Sequence, residues 1–148
     1  MTDQGVIEGA AATVLRARRA LGADAIAIWA DVDVKHSSPL GLPRSIEQEV
    51  EDTTKRAMAE AVLVTGEGTG KGVDVKKLAA VKGAAGEVPV LVASGATLDS
   101  LEGLAGKADG VIVGSALRVG GAAGLAVDAG LAKRFAEAFR RAFGPSVG

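Results

Sequence analysis

The 148-residue chain is long enough for one domain with a substantial core, and it contains no cysteine, which excludes disulfides and thiolate metal sites. Hydrophobic residues make up 48% and charged residues 24%, too apolar a balance for a disordered segment. Seventeen basic residues against eighteen acidic ones give a net charge of -1, so no overall field draws nucleic acid or an anionic membrane.

Met1-Thr2-Asp3-Gln4-Gly5 lacks the basic start and apolar run of a signal peptide. No convincing apolar stretch of about 18 residues occurs, so no membrane span is expected. The expectation is a cytoplasmic protein without a nucleic-acid partner.

Along the chain, helix and strand patterns alternate. Residues 8–21 form an Ala- and Arg-rich helix with Val14, Leu15 and Leu21 on one face, stopped by Gly22. Residues 25–34 form a strand, with Ile26, Ile28, Val32 and Val34 on one side and Trp29, Asp31 and Asp33 on the other. Pro39 and Pro43 break the chain, and Ser45 with Glu47 and Gln48 opens a helix to about residue 59. A second strand, 61–65, ends in Gly66-Glu67-Gly68-Thr69-Gly70, and a helix over 74–84 leads to a third strand, 88–94. A short helix over 98–107, capped by Thr97 or Asp99, precedes a fourth strand at 110–114. The last helix, 129–143, sets Leu131, Phe135, Ala138, Phe139 and Phe143 on one stripe. That stripe packs on a sheet more naturally than on a membrane surface, and the arginines near its end suit the helix dipole.

Short apolar strands alternating with helices mark a parallel sheet of βαβ units with right-handed crossovers. A closed (β/α)8 barrel needs about 200–250 residues and eight strands; four are legible here. A four-stranded sheet with helices on one side leaves its other face bare. Three solutions follow: a doubly wound sheet, a second copy forming a homodimer, or a missing half supplied from elsewhere.

The chemistry concentrates at strand ends. The third and fourth strands run into Ser94-Gly95 and Gly114-Ser115, and the loops after the last two strands of a barrel commonly hold phosphate. Glycine there lets backbone N–H groups approach the oxygens. At the first strand, Asp31, Lys35 and His36 are the candidates for polar chemistry; His36 is the sole histidine and so the first choice for proton transfer near neutral pH. Asp31 and Asp33 offer oxygen ligands to a divalent cation, and Asp3 and Glu8 are candidates to line the same mouth. No zinc spacing or Ser-His-Asp order is present, so no metal is assigned and the cofactor stays open. Gly66-Glu67-Gly68-Thr69-Gly70-Lys71-Gly72 fails as a nucleotide loop: three residues separate the relevant glycines, and Gly72 follows the lysine where Ser or Thr is needed. Thr65 and Gly66 instead open a loop expected to border the ligand.

Several strings resemble the BtpA/SgcQ family. They are Thr2-Asp3-Gln4-Gly5-Val6-Ile7-Glu8-Gly9 and Ala30-Asp31-Val32-Asp33-Val34-Lys35-His36-Ser37-Ser38-Pro39-Leu40, then Val64-Thr65-Gly66, Pro89-Val90-Leu91-Val92-Ala93-Ser94-Gly95 and Asp109-Gly110-Val111-Ile112-Val113-Gly114-Ser115. The resemblance implies a TIM-barrel-like, phosphate-binding (β/α)8 fold, of which this chain is a half barrel: one α/β domain carrying about four C-terminal βα units with parallel strands. It also implies a phosphorylated small molecule, a sugar or nucleotide derivative, as ligand. Family members are tied both to photosystem I biogenesis and to sugar metabolism, so the resemblance leaves two expectations. One is a barrel enzyme; the other is a non-catalytic assembly or stability factor.

Overall fold

The computed structural model describes residues 5–32, 34, 37–66 and 72–144. Four parallel strands form one sheet: β1 (Trp29–Asp31), β2 (Ala61–Val64), β3 (Val90–Val92) and β4 (Gly110–Val111), in the spatial order β1-β2-β3-β4. A doubly wound sheet reverses its strand order at one point. This sheet has no reversal, and right-handed crossovers in one direction place every connecting helix on the same face.

The helices are α1 (Ala11–Ala20), α2 (Ile46–Glu51), α3 (Val75–Ala85), α4 (Leu101–Leu104) and α5 (Ala129–Phe143). Their starts follow capping chemistry. Ser45 and Gln48 form a reciprocal capping box on α2, Asp74 accepts the Lys76 and Lys77 N–H groups at α3, and Asp128 accepts the Leu131 N–H at α5. The helix expected to run on to residue 59 changes at Asp52–Arg56 into a π-helical turn. Neither cap expected before α4, Thr97 or Asp99, is its N-cap, which is Ser100 without a side-chain cap bond; the Thr97 hydroxyl accepts the Ser100 N–H at 3.3 Å and the Ser100 hydroxyl accepts the Thr97 N–H at 2.9 Å. They close a turn over 98–100, so the helix begins at Leu101 and is shorter than expected.

The strands are also shorter than their apolar runs. The run over 25–34 contributes only Trp29–Asp31, because β1 is an edge strand with a ladder on one side, and Ile26 lies exposed before it. Between β4 and α5, two 3-10 turns (Ser115–Leu117 and Val119–Gly121) fold a loop that the sequence reading left unassigned, pinned by the Arg118 guanidinium on the Leu125 carbonyl.

The core is the helix-side face of the sheet. Val32, Val62, Val64, Val90 and Val92 are buried against Val50 of α2, Leu78 and Val81 of α3, Leu101 and Leu104 of α4 and Phe135 of α5. The valines are two apart along β2 and β3, as one face of a strand requires. The Phe stripe of α5 therefore packs inward, as expected, with Phe139 and Phe143 stacked at 4.6 Å. The opposite face is different. Trp29 is 54% exposed and Ile112, just past β4, 39%. Leu63 and Leu91 between them are half-buried. Gly110 lies beside Leu91, whose Cδ2 is 3.1 Å from where a Cβ would stand.

The N-terminal edge of the sheet is held by one device used twice. Glu60 precedes β2; its backbone N–H donates to the Ile28 carbonyl, and its carboxylate accepts the Ile28 N–H at 2.5 Å and Arg18 of α1 at 2.7 Å. Asp109 precedes β4 and repeats the pattern. Its N–H donates to the Val90 carbonyl, and its carboxylate accepts the Val90 N–H at 2.7 Å and Lys82 of α3 at 2.7 Å. Each carboxylate thus joins the entry of one strand, the entry of its neighbour and the helix that precedes that neighbour.

The Arg18 and Ile28 hydrogen bonds hold the Glu60 carboxyl below its ordinary range. For Asp109 burial is the largest single influence and works upward, but Lys82 and the Val90 N–H together outweigh it, and the net shift is downward. Both contributions to stability are therefore complete above the ordinary carboxylate range and are lost as pH falls through the depressed values. Asp109→Ala, which leaves the Val90 N–H of a fully buried residue unpaired, is expected to cost about 1–3 kcal/mol in urea denaturation at pH 7. A Glu60→Gln/Asp109→Asn chain should lose less stability between pH 6 and pH 3 than the parent.

Candidate functional site

Parallel strands put all their C-terminal ends on one edge of a sheet, and that edge collects the residues singled out from sequence. Asp31 ends β1, Thr65 and Gly66 follow β2, Ser94 and Gly95 follow β3, and Gly114 and Ser115 follow β4. One contact joins two of them across strands: the Thr65 hydroxyl donates to Asp31 Oδ2 at 2.8 Å. Asp31 opposes Leu63 in the ladder, so the bond reaches from the last rung of β1 to the residue just past β2. Asp31 lies on the helix-free face, as the period-two reading of its strand predicts. Asp33 and Lys35, which share that side in the period-two reading, lie outside the described residues, as do His36, Asp3 and the loop 67–71.

The two glycines of the candidate cradle differ in what they require. Gly95 has φ +83°, where a side chain strains the backbone, so glycine is dictated there by conformation. Gly114 has φ −133° and ψ −79°, and nothing lies within 4 Å of where its Cβ would stand. Open space surrounds it, and Ser115 beside it is exposed at the start of a 3-10 turn. Gly66 is buried and Ser94 half-buried. The ladder fixes the spacing of these loops: Val92 opposes Val111, and the Ile112 N–H donates to the Val92 carbonyl at 2.8 Å. Ser94–Gly95 and Gly114–Ser115 therefore leave adjacent strands at the same height.

A cleft of about 630 Å3 opens at the β1 end of this edge, lined by Asp31, Ser37, Ser38, Arg44 and Lys77 together with Val34, Ile46 and prolines. It reaches Asp31 but not the two glycine turns. Sequence reading did not single out Arg44 or Lys77. Arg44 is held by Asp52 at 2.8 Å, a contact that raises the guanidinium pKa and lowers that of Asp52. Lys77 sits in the first turn of α3, where helix periodicity gives it no distinction from Lys76. Among the described residues no group of three or more His, Asp or Glu side chains gathers as a metal site. No helix there is long and apolar enough to cross a membrane.

The family model of the BtpA family matches residues 1–141. The chain belongs to the BtpA family. It is 42% identical over 137 residues to the photosystem I biogenesis protein BtpA of Synechocystis, an alignment covering 93% of this chain and 47% of that protein. An uncharacterised protein of Thermococcus kodakarensis is 45% identical over 114 residues (77% and 42% of the two chains), and one of Methanocaldococcus jannaschii 38% over 133 residues (90% and 49%). The chain spans about half the length of these curated relatives. No solved structure matches it.

The demand at Gly95 is testable by thermal denaturation: Gly95→Ala, forced into the left-handed region, is expected to lose about 1–2 kcal/mol.

Proposed function

We propose that this chain binds the phosphate group of a small molecule, a sugar or nucleotide derivative, at the C-terminal edge of its sheet. The observation that carries this reading is the pair of turns after β3 and β4, Ser94–Gly95 and Gly114–Ser115. They leave neighbouring parallel strands together, with open space over Gly114. In (β/α)8 barrels the loops after the last two strands are the usual place for phosphate, where exposed backbone N–H groups meet the oxygens without a charged side chain. In this reading the sheet is the C-terminal half of a TIM-barrel-like fold, one domain, whose complement is a second copy or an N-terminal half. Ser94, Gly95, Gly114 and Ser115 hold the phosphate, and Thr65 and Gly66 border the rest of the ligand. Asp31, oriented by the Thr65 hydroxyl, faces it with Lys35 and His36 as the candidates for catalysis. The location we assign is the cytoplasm.

A second reading, a non-catalytic assembly or stability factor, is favoured by one observation, the printed name of the Synechocystis relative. The two readings part on substitution. Inorganic phosphate and a panel of sugar phosphates, titrated by phosphorus NMR, should bind the parent chain. Ser94→Ala/Ser115→Ala should weaken binding by about five- to tenfold, as the loss of hydrogen bonds to a charged group implies. With a turned-over substrate in hand, an enzyme requires Lys35→Ala to abolish turnover while the chain stays folded. A scaffold instead loses function on substitution of exposed helix residues, and no phosphate compound shifts.

A further inference from the structure

We propose that the cleft beside Asp31 takes the base of a nucleotide, so that the ligand of this edge is a nucleoside monophosphate and not a simple sugar phosphate. This rests on the phosphate reading above and narrows it.

The lining decides the chemistry. Among the described residues the cleft of about 630 Å3 has two acids, Asp31 and Glu49, and two bases, Arg44 and Lys77. Arg44 is already engaged, by Asp52 at 2.8 Å and by Glu49 at 3.8 Å. These charges balance, so they give no net field for a second phosphate or a carboxylate. The walls between them are apolar, formed by Val34 and Ile46 with Pro39 and Pro43. Val34 is 37% exposed, and both prolines are exposed. A polyol gains little against such walls. A nucleobase has flat apolar faces to lay on them and a polar edge for the hydroxyls of Ser37 and Ser38, which both donate and accept.

Position and size point the same way. Neighbouring strands lie about 4.8 Å apart, so the turns after β3 and β4 stand two and three spacings from β1, about 10 and 14 Å. A phosphorylated sugar, with a hydrogen bond at each end, fills that span from the turns to Asp31 and stops there. The cleft continues from Asp31 over the first turns of α2 and α3, where Ile46 and Lys77 lie, and does not reach the turns. Its volume falls among pockets that enclose small ligands, about 300–1,000 Å3. The group that enters it must be joined to the sugar at the end away from the phosphate, as the base of a nucleotide is. Asp31, held by the Thr65 hydroxyl at 2.8 Å, then meets the ribose hydroxyls as an acceptor. Each lining residue used here belongs to β1, α2, α3 or the segment joining β1 to α2, so these walls are built within adjacent βα units of this chain.

The test is calorimetric titration of the unmodified chain with AMP, GMP, CMP and UMP, the four matching nucleosides, and ribose 5-phosphate. At least one nucleotide should bind tenfold or more tightly than ribose 5-phosphate, and its nucleoside should compete with it. Val34→Asp, which puts a charge on the apolar wall, and Ser38→Trp, which fills the cleft from an exposed position, should each weaken that nucleotide at least tenfold. Both should leave ribose 5-phosphate and the melting temperature near the parent values. Equal affinity for ribose 5-phosphate and all four nucleotides overturns the proposal and leaves the phosphate reading standing. A nucleoside that binds as tightly as its nucleotide supports the base in the cleft and counts against phosphate at the turns. Binding by none of these compounds overturns both.

Discussion

Everything in this structure depends on a one-sided sheet. Right-handed crossovers between strands taken in sequence order leave the helices no choice of face. The valines of β2 and β3 are therefore divided from their neighbours by the pleat alone: Val62, Val64, Val90 and Val92 are fully buried beneath α2, α3, α4 and α5. The residues between them, Leu63 and Leu91, receive no such cover. A sheet wound in both directions would have buried both faces and placed its ligand crevice at the reversal point. Here the ends of all four strands share one rim.

That asymmetry also divides the molecule from end to end. At the N-terminal edge, Glu60 and Asp109 perform the same work two strands apart, each tying a strand entry to its neighbour and to a cation on the helix before that neighbour. Their carboxylates are saturated with donors and serve stability. At the C-terminal edge, among the described residues, Asp31 accepts from Thr65, Ser115 is exposed, and no atom lies within 4 Å of where a Gly114 Cβ would stand.

Membership of the BtpA family fixes relationship more firmly than activity. The relatives reported above are about twice as long, and two of the three are uncharacterised. Function must come from the site itself. At that rim Gly95 has a positive φ that favours glycine, and open space lies where a Gly114 Cβ would stand.

Much of the fold was legible in the sequence because its signals are local. The alternation of apolar runs with helical periods specified four strands and five helices in order, and the reading of the last helix over 129–143 matches α5 at its observed bounds. Strand lengths were not legible, since β1 begins opposite Ala61, the first residue of β2, a property of β2 as much as of β1. The choice between a singly and a doubly wound sheet was equally closed to sequence, because both use the same βαβ pattern and differ only in spatial order. At the site, Ser94–Gly95 and Gly114–Ser115 stood out as small residues at strand ends. Arg44 and Lys77 did not, since only tertiary packing brings a loop and the first turn of α3 to the cleft beside Asp31. Glu60 and Asp109 carried a signal that composition hides, a carboxylate immediately before a strand. The sequence by itself determined the elements, their order and the chemistry at each strand end, because these follow from residue periods and turn residues. Only the tertiary structure decided which face of the sheet was covered and which side chains met, because those depend on contacts between segments far apart in the chain.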